Sequence, residues 1–351
     1  MGRLATIKDV AREASVSVAT VSRVFNGATV VREQTARRIR EVAAALRYAP
    51  HSGARSLITN RTNTLGVLLP DLYGEFFSEL IHGIDLTARK EGYHILVSRS
   101  WEGRSEIEEA MRSMRGRVDG MLLMSPDVHA DSLLNVPPNL PVVLLCSPSR
   151  GHELDSVTIQ NYQGAKEMVA HLISAGHKRV AIIKGSVGNF DAAERFRGYR
   201  AALKDAGITP DPDLEKQGDF TEDGGFTVAR DLMSLKKRPT AVFAANDSMA
   251  IGALSAFRQA GVRIPEEMAV AGFDDIPLAR YMDPPLSSVR VHIADLGSKA
   301  VEVLLHGVRH KNDHVRRRER MSTEIVVRRS SGGEPAERPP PQSFNREMAS
   351  A

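Results

Sequence analysis

The sequence predicts a small all-α head joined to a larger α/β body of two lobes, each built on a doubly wound, mostly parallel sheet. Three observations carry that expectation. Between Thr6 and Tyr48 the apolar residues recur only at helical spacing, in three short blocks. From Thr64 onward, continuous apolar runs of strand length alternate with amphipathic helices, the pattern of strands covered on both faces. The 351 residues, 42% of them hydrophobic, hold more such runs than one compact core or one ordinary sheet accommodates.

The first helical block opens at Thr6, an N-cap residue, with Asp9 placed to reach back to the helix start. It carries Ile7, Val10, Ala11 and Ala14 on one face and stops near Ser15-Val16. Ser17 caps a second block with Val21, Val24 and Phe25, which Asn26-Gly27 terminates, and a third runs from about Glu33 to Leu46. In the body the strand runs are Thr64 to Leu69, His94 to Val97, Gly120 to Met124, Val142 to Leu145, Val180 to Ile183, Ala241 to Ala245 and Met268 to Phe273. Helices fit between and after them at Phe76 to Glu91, Ser105 to Met114, Tyr162 to Ala175, Ala192 to Ala206, Gly225 to Leu235, Asp247 to Ala260 and Ala294 to Leu305. The segment from Ser330, with Gly332-Gly333 and Pro339-Pro340-Pro341, has linker composition and reads as a disordered tail.

Charge is unevenly placed. The formal net charge of +4 conceals a first 58 residues at +6, where Arg3, Lys8, Arg12, Arg23, Arg32, Arg37, Arg38, Arg40, Arg47 and Arg55 oppose Asp9, Glu13, Glu33 and Glu41. A small basic helical unit has the electrostatic footprint of a nucleic-acid binder. A second basic run, Arg316-Arg317-Arg318-Glu319-Arg320, reads as a solvated loop before a last strand. The single cysteine, Cys146, excludes an internal disulfide and any multi-cysteine metal site and fits a reducing cytoplasm. No stretch reaches the roughly 20 apolar residues of a membrane span, and the N-terminus has no apolar signal core, so neither membrane insertion nor export is expected.

The spacing of Ala11, the turn at Ser15-Val16-Ser17 and the inward Val21 and Val24 is that of a helix-turn-helix: the small Ala lets two helices cross closely and the valines lock the second. The outward face of that second helix offers Val18, Ala19, Thr20, Ser22 and Arg23. Arg23 can donate two hydrogen bonds to a guanine edge, and Val18 and Ala19 suit thymine methyls. Thr6, Ser17, Thr20, Ser22, Asn26, Thr35 and Tyr48 are candidates for the phosphate backbone.

Three strings, Thr6-Ile7-Lys8-Asp9-Val10-Ala11, Val16 through Asn26, and Leu46-Arg47-Tyr48-Ala49-Pro50, resemble the lactose-repressor (LacI/GalR) family of bacterial transcription regulators. The resemblance runs to about Arg329 and implies a head at 1–49, a hinge helix and linker at 50–63, a two-lobed ligand-binding and dimerisation body at 64–329, and the tail at 330–351. It also implies that Leu57, in Ala54-Arg55-Ser56-Leu57, wedges into the minor groove and bends the duplex. Ser15 stands where a turn glycine is usual, Arg32 where a capping Ser is usual, Gly53 lowers hinge-helix propensity, and Ile58 replaces a position that is sometimes basic.

The body, by the same resemblance, is similar to periplasmic sugar-binding proteins, with a small effector held between the lobes. Arg195 and Asp274 match the main polar contacts, Phe76 and Phe220 the aromatic ones, and Asn246 and Asp71 are further hydrogen-bonding candidates. Cys146 and Val291 depart towards a less polar pocket than a simple hexose favours. The implied protein is a cytoplasmic repressor of carbohydrate-utilisation genes. It would bind a pseudo-palindromic double-stranded operator as a homodimer and answer to a sugar or sugar derivative, the alternatives being a nucleobase or other metabolite and a binding protein without regulatory role. The chain has no phosphate loop, dinucleotide-binding glycine pattern, zinc-protease motif or nucleophile elbow, so neither an enzyme nor a cofactor is expected. A transport-type binding protein would carry an export signal and no basic head.

Overall fold

The computed structural model describes residues 5–25, 30–48, 61–99, 104–124, 140–149, 154–310 and 313–333. Asn26, Gly53, Leu57 and Ile58 lie outside them, as does most of the tail. The chain divides into two compact units, Met1–Thr64 with Arg115–Asp119, and Leu65–Met114 with Gly120–Ala351.

In the head, α1 (Ile7–Glu13), α2 (Val18–Phe25) and α3 (Glu33–Ala45) enclose a core of Val10, Ala11, Ala14, Val21, Val24, Ala36, Ile39 and Ala43. Asp9 reaches back as expected: its Oδ2 accepts from Thr6 N at 2.9 Å and from Thr6 Oγ1 at 2.7 Å. Ser17 Oγ accepts Thr20 N at 3.1 Å and so caps α2. Ser15 between them sits at φ +51°, a left-handed turn without the glycine that makes one strain-free. Arg32 precedes α3 without a side-chain cap.

The larger unit holds two six-stranded sheets. Lobe 1 comprises β1 (Thr64–Leu69), β2 (His94–Arg99), β3 (Gly120–Leu123), β4 (Val142–Leu145), β5 (Asp155–Ile159) and β11 (Arg318–Met321), in the order β11-β5-β4-β3-β1-β2. Its helices are α4 (Glu75–Lys90), α5 (Arg104–Met114) and α10 (Ile293–Arg309). Lobe 2 comprises β6 (Val180–Lys184), β7 (Glu215–Gln217), β8 (Ala241–Ala244), β9 (Ala269–Asp274), β10 (Ser287–Arg290) and β12 (Glu324–Val326), in the order β12-β10-β9-β8-β6-β7. Its helices are α6 (Asn161–Ser174), α7 (Phe190–Asp205), α8 (Glu222–Ser234) and α9 (Asp247–Gln259). The pairings β1–β3, β3–β4, β4–β5, β5–β11, β6–β7, β6–β8, β8–β9 and β9–β10 are parallel, whereas β12 runs antiparallel to β10. This is the doubly wound, two-lobed body the sequence predicts.

The chain passes between lobes three times: after β5 at Gln160, after β10 at Val291-His292, and after β11 at Ser322-Thr323. The second passage returns α10 to lobe 1, where it packs on α4 so closely that a Cβ on Gly83 would lie 1.9 Å from Ala294 O.

Two expectations are corrected. Arg318–Met321 is not a loop but the outer strand of lobe 1, paired with β5 from Arg318↔Ser156 to Met321↔Ile159. An edge strand needs backbone partners on one side only, so its side chains can be charged throughout and show no apolar signal. The fold also continues past Arg329. Ser330 Oγ donates to Val270 O at 2.6 Å and accepts Ser287 N at 2.8 Å, and Ser331 Oγ lies 2.7 Å from Ser287 Oγ, so both serines are buried rather than in a tail.

Candidate functional sites

Every body residue singled out for the effector lies at or just beyond the C-terminal end of a strand, or on the helix that follows one. That is where ligands bind in open α/β sheets. Arg195, on α7, is almost fully buried. Its Nε donates to Asn161 Oδ1 at 2.8 Å, its Nη1 donates to Ala245 O at 2.6 Å, and its guanidinium lies 3.7 Å from the Phe273 ring centroid. The remaining Nη2 stands 3.2 Å from Asp274 Oδ1, an ion pair without the alignment of a hydrogen bond. Asp274 Oδ1 is therefore buried with the guanidinium beside it but no aligned hydrogen bond, and it keeps acceptor capacity for a ligand.

The structure adds two members that the sequence did not mark as site residues, Asn161 and Asp191. Asn161 donates from Nδ2 to Asp191 Oδ1 at 2.7 Å, and Cys146 of lobe 1 lies near enough to Asp191 of lobe 2 for each to shift the other's proton affinity. Asp191 looks in the sequence like an ordinary acid in the first turn of a helix; its spacing four residues before Arg195 was the available signal. Burial pushes Asp274 up to about 7 despite the pull of Arg195, and pushes Asp191 up to about 6 against Arg195 and the Asn161 bond. Burial, reinforced by Asp191, raises the Cys146 thiol well above its usual range. One guanidinium thus pairs directly with Asp274 and acts on Asp191 through its charge and through Asn161.

Local backbone strain concentrates here. Cys146 (φ +55°), Phe220 (φ +72°), Asp274 (φ +110°) and Asp275 (φ +53°) all occupy the left-handed region, a distribution typical of functional loops. Phe220 lays its ring against Gly185, where a Cβ would fall 2.1 Å from Phe220 Cζ. Asn246 spends its polar groups within lobe 2, donating to Phe220 O at 3.0 Å and capping α9 through Met249 N at 3.0 Å. It positions Phe220 and keeps one amide proton beyond these two bonds. Phe76 packs edge-on against Phe77, centroids 5.6 Å apart, and Asp71 at the end of β1 accepts Leu72 N at 2.7 Å and lies 3.6 Å from Arg99 Nε. Asp247 and Asp275 are structural: Asp247 accepts Ser288 Oγ at 2.6 Å and Ile276 N at 2.9 Å, and Asp275 pairs with Arg290 and Arg328 at 2.7 and 2.6 Å.

In the head, Val18, Ala19 and Arg23 are exposed on α2, opposite the buried Val21 and Val24. Arg23 has no ion pair or hydrogen bond among the described residues, so its five donors are available. Ser17 and Thr20 are bonded to each other at 2.8 Å at the N-terminus of α2, and Thr6, Ser22 and Thr35 are half-buried. Tyr48 packs edge-on against Phe25 at 5.8 Å. Leu57 and Asn26 fall outside the described residues.

A three-helix unit with an open recognition helix, followed in the chain by a two-lobed cleft protein with strained, polar loops, defines the class of effector-binding DNA-reading regulators. Comparison with known proteins gives the family. Residues 6–51 match the bacterial regulatory proteins of the lacI family and residues 169–331 the periplasmic binding protein-like domain. The chain is 36% identical over 330 residues to the HTH-type transcriptional repressor PurR of Photobacterium profundum, covering 93% of this chain and 98% of the relative. It is 36% identical over 308 residues to the ribose operon repressor of Escherichia coli (strain K12), covering 87% and 93%. Among solved structures it is similar to the Lac repressor dimer bound to operator and the anti-inducer ONPF, at TM-score 0.85, 27% identity and coverage of 94% and 99%. It is also similar to a transcriptional regulator CelR-cellobiose complex, at TM-score 0.71, 30% identity and coverage of 93% and 99%. The chain belongs to the LacI family of bacterial regulatory proteins.

Proposed function

We propose that this protein is a cytoplasmic repressor of carbohydrate-utilisation genes. As a homodimer it binds a pseudo-palindromic operator, and a neutral, hydroxyl-rich effector, a sugar or sugar derivative, binds between its lobes. Residues 1–49 read DNA, 50–63 form the hinge, and the body from residue 64 binds effector and pairs the subunits. Arg23, with Val18 and Ala19, contacts base edges; Leu57 opens a base step; Thr6, Ser17, Thr20, Ser22, Asn26, Thr35 and Tyr48 set register on the phosphates. The observation that carries the effector half is the open acceptor Asp274 Oδ1 beside Arg195 in the buried cluster. A hydroxyl donating there completes a hydrogen-bond set that the protein leaves unfinished. The cleft groups are tied to one another rather than set out as nucleophile and base, which supports binding without catalysis.

Because Cys146 contributes to the cluster from lobe 1 while the other members come from lobe 2, an occupant that draws the lobes together changes the geometry of the body. Through the hinge it then changes the free energy of operator binding, a reciprocal coupling of roughly 1–3 kcal/mol. A planar nucleobase is the second reading, favoured by the flat seating of Phe220 on Gly185. Calorimetric titration of the full chain with pentoses, hexoses and nucleobases separates the two. Arg195→Ala should abolish the effector's influence on operator binding, and a retained response would place the pocket elsewhere.

A further inference from the structure

The head and the cleft leave one strongly charged feature unused, the arginine run around β11. Arg316, Arg317, Arg318 and Arg320 are all exposed, and none of the four guanidinium groups has a hydrogen bond or an ion pair among the described residues. Within 313–321 the acidic residues are Asp313 and the half-buried Glu319, so the run is locally cationic.

It is also a built element. Asp155, at the start of β5, is buried; its Oδ1 accepts Arg317 N at 2.7 Å, and its Oδ2 lies 2.7 Å from Nε2 of the nearly buried His314. His314 Nδ1 lies in turn 2.9 Å from His306 Nδ1 on α10. The arm that delivers the arginines is held by backbone and buried side chains, while their guanidinium groups stay unengaged.

Strand direction fixes the end of the sheet at which the arm enters, with Arg318 and Arg320 following on one face of β11. Because β1, β3, β4, β5 and β11 are parallel, the arm reaches β11 from the end of the sheet at which β1 begins. There Thr62 N and Asn63 N donate to the Asp119 carboxylate at 2.7 and 2.9 Å, which anchors the incoming chain. Four strand spacings separate β1 from β11, about 19 Å, comparable with the width of a duplex.

We propose that the arginine edge of β11 is a second DNA-contacting surface, which grips backbone phosphates flanking the operator. This rests on the operator-binding reading above. Guanidinium forks match phosphate oxygens, and each phosphate neutralised releases condensed counterions. Edge protection of a sheet also uses charged residues, but it leaves the salt dependence of DNA binding unmoved.

The test is fluorescence anisotropy of the full chain on two labelled duplexes carrying an operator selected from a random pool. One ends at the operator, and the other extends about 15 base pairs, roughly one and a half helical turns, beyond each side. Wild-type protein should bind the extended duplex more tightly. Arg316→Gln/Arg317→Gln/Arg318→Gln should lose about tenfold in affinity on the extended duplex alone, with a salt slope shallower by about 0.9 per contact removed. It should keep its preference for operator over scrambled sequence, and replacement of the same three positions by Lys should restore most of the binding. Equal affinity and slope for wild type and the Gln variant on both duplexes would overturn the proposal and leave the patch to an acidic protein. Failure of the operator reading itself would show separately, as a wild-type chain that binds operator and scrambled duplexes alike.

Discussion

Replacing Asp274 with Asn keeps the shape of the side chain and removes its titration, which isolates the energetic consequence of the buried carboxyl. The carboxyl moves from an ordinary 3.8 to about 7, roughly three units. At about 1.4 kcal/mol per unit this is on the order of 4 kcal/mol. An acid whose pKa is raised by folding holds its proton more tightly in the folded state. Its cost is therefore absent below about pH 4, grows as pH rises, and is complete above pH 7. Urea unfolding followed by far-UV circular dichroism should show the stability of Asp274→Asn relative to wild type rising by about 3 kcal/mol between pH 5 and pH 8. Taking the difference between the two proteins cancels the histidines. His171 and His177, both lowered by burial, contribute the opposite slope, since their stability is lost as pH falls. A difference that stays flat over that range would refute the account of a buried carboxylate short of donors. A hydroxyl donated to Asp274 Oδ1 favours the ionised form, so effector binding near pH 7 should release a fraction of a proton, visible as a dependence of the calorimetric heat on buffer.

Three further perturbations test other parts of the chain. Arg23→Ala should lower the preference for operator over scrambled duplex by about 1–3 kcal/mol while leaving effector binding intact, and unchanged discrimination would remove its base-reading role. Ser15→Gly should stabilise the head by up to about 1 kcal/mol, because it relieves the left-handed turn at φ +51°. Slower hydrogen exchange at Val10 and Val21 amides in the full chain is the readout. Gly198→Ala should cost about 2 kcal/mol or more, because its Cβ would lie 2.3 Å from Tyr162 O where α6 and α7 cross; an unshifted urea midpoint would contradict that packing.

The sequence disclosed elements in proportion to how locally their stabilisation is written. Strands such as β3, Gly-Met-Leu-Leu, and β4, Val-Val-Leu-Leu, are apolar along their whole length and stood out at once. Strand β5 is as fully buried but reads Asp-Ser-Val-Thr-Ile, because its polar groups find partners some 160 positions away: Asp155 at His314 and Arg317, Thr158 Oγ1 at Glu319 O. Strand β10 hides likewise, with Ser287 bonded to Arg328 O and Ser288 to Asp247. No window along the chain contains those pairings. In the cleft, Arg195 and Asp274 could be named by resemblance, whereas Asn161 as their linker, and Asp191 as the carboxyl facing Cys146, emerge only when α6, α7 and the end of β4 converge.

The return of α10 and β11 to the first lobe has a consequence for the order in which a ribosome delivers this protein. Lobe 1 receives its first five strands by residue 159, yet the helix that covers Gly83 on α4 and the strand that completes the sheet arrive only between residues 293 and 321. Lobe 2 in turn waits for β12 and for the buried serines at 330 and 331. Neither half can be finished before the last forty or so residues of the body have emerged. Nascent chains truncated near residue 290 would expose the α4 face that α10 normally covers, and the two lobes gain their final stability in one late step.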